Sequence, residues 1–102
     1  KEIHSFEDVE INIPFHTVSI NGTEVSFTAK EFDLLLLFVS NPRRAFSREQ
    51  LIDRIWGYEY IGDVRPVDDL VKRIRRKLRD SGSSMEIATV WGYGYKAAGG
   101  SE

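Results

Sequence analysis

Between Lys72 and Arg79 six of eight residues are lysine or arginine, and the two exceptions are Ile74 and Leu78. With Val67, Leu70 and Val71 they stand at i, i+3, i+4, i+7 and i+11, which at roughly 100° per residue is one apolar stripe about 100° wide. Arg65, Asp69, Lys72, Arg76 and Arg79 gather at the opposite pole, with Arg73, Arg75 and Lys77 on the flanks. A segment patterned this way is stable only as a helix with one face in a core and the other in water, so the rest of the chain must supply a layer that covers the stripe. The helix starts near Arg65-Pro66, because proline is tolerated in a first turn, and Asp68 and Asp69 complement the positive end of its dipole. Ser81-Gly82-Ser83-Ser84 ends it.

The covering layer is legible upstream. Val9, Ile11 and Ile13 alternate with polar residues, as do Val18 and Ile20, then Val25 and Phe27, the period of strands with one buried face. Asn21-Gly22 supplies the positive φ angles of a type I′ turn, so Val18 to Phe27 is a tight hairpin. Pro14 marks a strand end or an edge. The period then changes. Thr28-Ala29-Lys30-Glu31 is a capping box opening an apolar helix of about a dozen residues that stops at Asn41-Pro42. Ser47-Arg48-Glu49-Gln50 is a second box, opening a short helix with Leu51, Ile52 and Ile55 that ends at Trp56-Gly57. Tyr58 to Val64 is a polar and aromatic loop. Ile87 to Val90 reads as a strand, Trp91 to Tyr95 turns the chain back toward Lys96, and Ala97 to Glu102 reads as a frayed tail.

One core is all that 102 residues can bury, and 41% hydrophobic residues suffice to build it. With no cysteine, disulfides, thiol nucleophiles and thiolate zinc sites are excluded. His4 and His16 cannot cage a metal by themselves, and neither metal nor cofactor is expected. The longest apolar run, Leu34 to Val39, falls far short of the ~20 residues of a membrane helix, so no membrane association is expected. There is no glycine-rich phosphate loop or nucleophile elbow. His4 and His16 near Glu7, Asp8 and Glu10 are explained by polar positions on an exposed sheet face, and the chain does not read as an enzyme.

Net charge is −2, which taken alone argues against a polyanionic partner. The distribution reverses that. Residues 1 to 33 carry two basic and seven acidic groups (2 − 7 = −5), whereas Arg65 to Asp80 carry seven basic and three acidic (7 − 3 = +4). Such a dipole orients a protein toward a polyanion whatever its sum. After Asp69 the cationic face has almost no acidic partners, so its like charges repel unless something neutralises them. An α-helix fits the DNA major groove, where such a face offers phosphate contacts and guanidinium forks for guanine edges. All six Trp and Tyr residues flank this helix, at Trp56, Tyr58, Tyr60, Trp91, Tyr93 and Tyr95, while all six Phe lie at or before Phe46. Polar-tipped aromatics suit interfaces, although Trp56 and Tyr95 serve equally well as caps on the core.

Thr28 to Pro42, Ser47 to Leu51, Trp56 to Arg65, Val67-Asp68 with Arg73 to Leu78, and Thr89 to Tyr95 together resemble the effector domain of OmpR/PhoB-type response regulators, over nearly the whole chain and in the same order. The resemblance implies an α+β winged helix-turn-helix over residues 1–98: an N-terminal four-stranded antiparallel sheet, three helices and a C-terminal β-hairpin wing, followed by a disordered tail at 99–102. It implies sequence-specific binding of double-stranded DNA for transcription regulation, with helix 65–79 in the major groove and wing 91–93, including Trp91 and Gly92, near the minor groove. Trp56, Arg65, Lys72, Arg75, Arg76 and Thr89 match positions that touch the DNA backbone; Asp69 and Arg73 match positions facing bases. Tyr58, Glu59, Tyr60 and Asp63 lie on the loop that corresponds to an RNA polymerase contact. Asp69 replaces a small or aliphatic residue common there, Leu70 stands where histidine is frequent and reads as packing, and Trp91 stands where some members place a minor-groove arginine.

By the same resemblance the chain is the output half of a cytoplasmic phosphorelay regulator whose N-terminal receiver domain is absent from this sequence, and it binds direct-repeat half-sites as a head-to-tail dimer. The alternative is a winged-helix module that binds protein through Trp56 to Tyr60 and the wing, since fold does not determine function.

Overall fold

The computed structural model describes residues 2–100. Four short strands, β1 (Ile3–Phe6), β2 (Val9–Asn12), β3 (Thr17–Ile20) and β4 (Thr23–Val25), form an antiparallel sheet in chain order. Val9 pairs with Ile20, and Ile11 with Val18, so the alternating apolar residues fall on one face, where Phe6, Val9, Ile11, Val18 and Ile20 are buried. Asn21 and Gly22 both have positive φ, 54° and 81°, as the two-residue hairpin requires. Strand β1 has no clear alternation of its own and joins the sheet by pairing with β2.

Helix α1 (Ala29–Ser40) and helix α2 (Arg48–Ile55) begin at the two capping boxes, with Thr28 and Glu31, and Ser47 and Gln50, satisfying each other's backbone donors. Helix α3 (Arg65–Asp80) carries Pro66 in its first turn and buries Val67, Leu70, Val71, Ile74 and Leu78, the five stripe residues. A second sheet, of order β5-β7-β6, joins β5 (Phe46–Ser47), β6 (Met85–Val90) and β7 (Gly94–Gly99). Strand β6 begins two residues before the expected Ile87. At Gly94 a Cβ would lie 1.9 Å from the Phe46 carbonyl oxygen, so the β5–β7 approach admits no side chain there.

The expected frayed tail is corrected by β7. Ala97 and Ala98 are buried and Gly99 pairs with Met85, so residues 97–99 are the second arm of the wing. Their small side chains let β7 lie close over the core, which a reading by polarity alone misses. Of the remainder of the expected tail, Gly100 is an exposed turn residue, and Ser101 and Glu102 lie outside the described residues. Among the described residues no helix is long and apolar enough to cross a membrane.

Two polar ties hold the layers together. Asp8, in the β1–β2 turn, accepts from the Ser83 hydroxyl at 2.5 Å and the Ser84 amide at 2.7 Å, and Glu7 accepts from the Ser84 hydroxyl at 2.9 Å. These carboxylates therefore anchor the α3–β6 turn to the first sheet, beyond the surface role expected for them, while His16 stacks on Phe32 with ring centroids 3.7 Å apart. Glu31, only 2% exposed, accepts from the Lys77 ammonium at 2.6 Å as well as from the Thr28 amide, joining α1 to α3. Burial alone would push the Glu31 carboxyl up; the Lys77 and Thr28 hydrogen bonds outweigh it and hold it below the ordinary 4.5.

A carboxyl depressed on folding contributes stability above its unfolded value and loses it as pH falls through its folded one. Wild-type stability, read from urea melts between neutral pH and the acid limb, should therefore decline below about pH 4.5, and Glu31→Gln should show a shallower decline. At neutral pH Lys77→Met should cost about 3 kcal/mol, because it strands a buried charge.

Candidate nucleic-acid interface

The wheel of α3 has three sectors, and the structure uses each differently. Its stripe is the core. On one flank Lys77 reaches α1, also donating to the Ser26 carbonyl at 3.0 Å. On the other, Arg75 donates from Nε and Nη2 to the Ile87 carbonyl, at 2.9 and 2.6 Å, and from Nη2 to Thr89 Oγ1 at 2.9 Å, fastening α3 to β6. The crest between the flanks is open: Asp69, Lys72, Arg73, Arg76 and Arg79 are exposed. Among the described residues the side chains of Lys72, Arg73, Arg76 and Arg79 enter no hydrogen bond, ion pair or ring contact within the chain. Asp69 likewise pairs with none of its cationic neighbours.

Two hollows border the crest. One, of about 690 Å³, lies between the first turns of α1 and α3 and is lined by Thr28, Lys30, Trp56, Arg65, Asp69 and Arg73 among others. The second, of about 470 Å³, is bounded by Asp69, Lys72, Arg73 and Arg76. Trp56 is half-buried at the end of α2. Arg65 is exposed and paired with Asp63 at 2.9 Å, an ion pair open to solvent that a phosphate can displace at little cost.

The wing completes the surface. Trp91, Gly92 and Tyr93 form the β6–β7 turn, with Trp91 89% exposed at its tip. Thr89, two residues before the turn on β6, is held by Arg75. The loop 57–64 divides: Tyr58 and Glu59 face outward, Tyr60 packs against Trp56 with ring centroids 6.3 Å apart, and Asp63 is bound to Arg65. Ile61, 95% exposed on the same loop, is an apolar side chain open to solvent that sequence reading passed over.

Residues 22–97 match the family model described as "Transcriptional regulatory protein, C terminal". The chain belongs to this family. It is a DNA-binding, transcription-regulating domain of the OmpR/PhoB response-regulator type. The transcriptional regulatory protein ResD of Bacillus subtilis is 41% identical over 104 aligned residues, covering 100% of this chain and 43% of ResD. The chain thus spans under half the length of that curated relative. The response regulator DrrB of Thermotoga maritima, an OmpR/PhoB homologue, superposes with a TM-score of 0.83 at 33% identity, over 97% of this chain and 45% of DrrB. The RstA DNA-binding domain of Klebsiella pneumoniae, solved in complex with its RstA box, gives a TM-score of 0.81 at 29% identity, over 96% of this chain and 98% of that one.

What sequence reading missed in this effector domain is a linkage beneath the crest. Asp68, read only as a helix-dipole residue, accepts from Arg48 Nε at 2.9 Å and from the Tyr95 hydroxyl at 2.5 Å. Arg48 and Arg75 both lie over the Tyr95 ring, with guanidinium carbons 5.1 and 5.3 Å from its centroid. The start of α2, the start of α3 and the second arm of the wing therefore meet at one carboxylate. Partial burial pushes the Asp68 carboxyl up, but the hydrogen bonds from Tyr95 and Arg48 prevail and leave it below the ordinary range. Burial, and then the bond to Asp68, push the Tyr95 phenol above 10.0. No sequence pattern signals this linkage in advance, because Arg48, Asp68 and Tyr95 stand on three separate elements whose mutual register only the fold sets.

Tyr95→Phe should lose a charge-assisted hydrogen bond worth about 1.5 kcal/mol in denaturant melts. A double-mutant cycle with Asp68→Asn should show coupling of more than about 0.5 kcal/mol, and additive effects would mean that the linkage is energetically idle.

Proposed function

We propose that the chain reads double-stranded DNA with α3 in the major groove and the wing tip beside the neighbouring minor groove. The observation that carries this is the row of four exposed cations on α3 without partners of their own. In this reading Lys72 and Arg76 bind phosphates directly. Arg65 joins them when DNA displaces Asp63, and Trp56 closes the edge of the footprint. Arg75 and Thr89, bound to each other, act at the backbone mainly by fixing the wing against α3. Arg73 faces bases as a donor fork and Asp69 as a pure acceptor, suited to the amino groups of cytosine or adenine. Trp91 and Gly92 approach the minor groove through ring and backbone, not through a cation, so no preference for A·T-rich minor grooves is expected.

Further parts of the proposal rest on the family. The domain, residues 1–98 in outline, serves as the cytoplasmic output half of a response regulator, with a receiver domain N-terminal to it, and binds direct repeats as a head-to-tail dimer. Tyr58 and Glu59, with Tyr60 and Asp63 shaping the loop behind them, offer a contact to RNA polymerase. A purely protein-binding module is the weaker reading, because it leaves the cationic crest without a use.

Titration of a labelled duplex at several salt concentrations tests the groove assignment. Arg76→Ala should lower affinity and reduce the magnitude of the log-log salt slope by about 0.9; an unchanged slope and affinity would remove α3 from the groove. Asp69→Ala should relax preference at one base pair, a loss of about 1–3 kcal/mol in discrimination visible when bound sequences are selected from a random pool.

A further inference from the structure

The larger hollow beside the crest contains a cation that belongs neither to α3 nor to the wing. Lys30, in the first turn of α1, is exposed and lines it together with Trp56, Arg65, Asp69 and Arg73. Its ammonium sits 5.3 Å from the centroid of the Trp56 ring. Among the described residues no carboxylate lies within ion-pair distance of it: Asp63, on the same wall, is taken by Arg65, and Asp33 and Asp69 make no ion pair with it. A lysine free of any carboxylate usually ranges over many rotamers; here the indole face restricts it, and it lies on the rim of the surface already argued to face DNA.

We propose that Lys30 is a DNA phosphate anchor, holding with Trp56 a backbone phosphate beyond those engaged by α3. The inference rests on the DNA-binding reading above and extends its footprint onto α1. The chemistry is that of a point charge: an ammonium pairs with one phosphate oxygen without demanding a planar partner, and the ring beneath it keeps it in place while leaving its outer side open. Asp69, the unpaired carboxylate on the same wall, excludes the anion from the side nearest the bases and leaves the rim near Lys30 and Trp56 as the favoured position. Because phosphates carry no sequence information, Lys30 should contribute equally on every duplex.

The test is a salt titration of the whole chain against two labelled duplexes, one of random sequence and one selected from a pool, using wild type, Lys30→Gln, Lys30→Arg and, as a control cation away from the crest, Arg54→Gln. Lys30→Gln should weaken both duplexes by the same several-fold factor and lower the slope magnitude by about 0.9. Lys30→Arg should restore both quantities, Arg54→Gln should change neither, and all four proteins should melt alike. An unchanged slope in Lys30→Gln overturns the proposal, as does a loss confined to the selected duplex. If wild type binds neither duplex, the DNA-binding reading itself fails, a result distinguishable from a silent Lys30.

Discussion

The seating of α3 is the constraint on which everything else in this molecule depends. A sixteen-residue helix with seven basic residues has no stable place in a small domain unless its apolar stripe is covered and its flanks are restrained. The stripe is covered by the core. The flanks are restrained from opposite sides by two different chemistries: Lys77 enters an ion pair with a buried glutamate of α1, while Arg75 spends its donors on a backbone carbonyl and a hydroxyl of β6. Angular position on the wheel decides which cations hold the helix and which are left to face a ligand. A shift of the helix by one residue would rotate it by roughly 100° and exchange those roles.

Acidic residues outnumber basic ones in this chain, sixteen to fourteen, yet the crest cations stay unpaired: Asp69 and Asp80, on α3 itself, make no ion pair with them, and the carboxylates of the neighbouring elements are occupied elsewhere. Glu31 is held by Lys77, Asp68 by Arg48 and Tyr95, Asp63 by Arg65, and Asp8 by the serines of the α3–β6 turn. The other acids of the first 33 residues lie chiefly on the N-terminal sheet, a separate layer. Packing therefore sustains the charge dipole seen in the sequence. The field it generates orients the crest toward a polyanion before contact.

The helices and the first hairpin were legible because each is specified within a few neighbouring residues. A capping box, an Asn-Gly turn or an apolar stripe declares its own geometry. Strand β5 was not, since Phe46–Ser47 becomes a strand only through the partner it meets, whereas β1, without alternation of its own, was expected as the fourth strand of the sheet that the resemblance implies. The last strand was misread for a related reason: Ala97 and Ala98 have no bulk to advertise burial, and only pairing with β6 puts them inside. At the interface, the face of α3 followed from periodicity, whereas the separate fates of Arg75, Lys77 and Arg73 did not. All three are flank or near-flank cations in sequence, and what distinguishes them is whether a carbonyl, a buried carboxylate or open solvent stands opposite. Asp68 illustrates the same limit, because its three-element linkage depends on long-range register that no local pattern encodes.

On the proposed reading, Asp69 accounts for something that the cations alone cannot. A uniformly basic crest binds every duplex, and most of its free energy is indifferent to sequence. A carboxylate set among Lys72, Arg73 and Arg76 weakens attraction to phosphate everywhere, and it is repaid only where a base presents an amino donor. Its cost falls on random DNA and on the operator alike, while its return comes at the operator alone. Discrimination is the difference between the two, so a charge that lowers overall affinity raises selectivity. A point-charge anchor at Lys30 has the opposite character, adding equally to both states. The two residues line the same hollow. Placed there together, they allow affinity and selectivity to be set by separate side chains on separate helices.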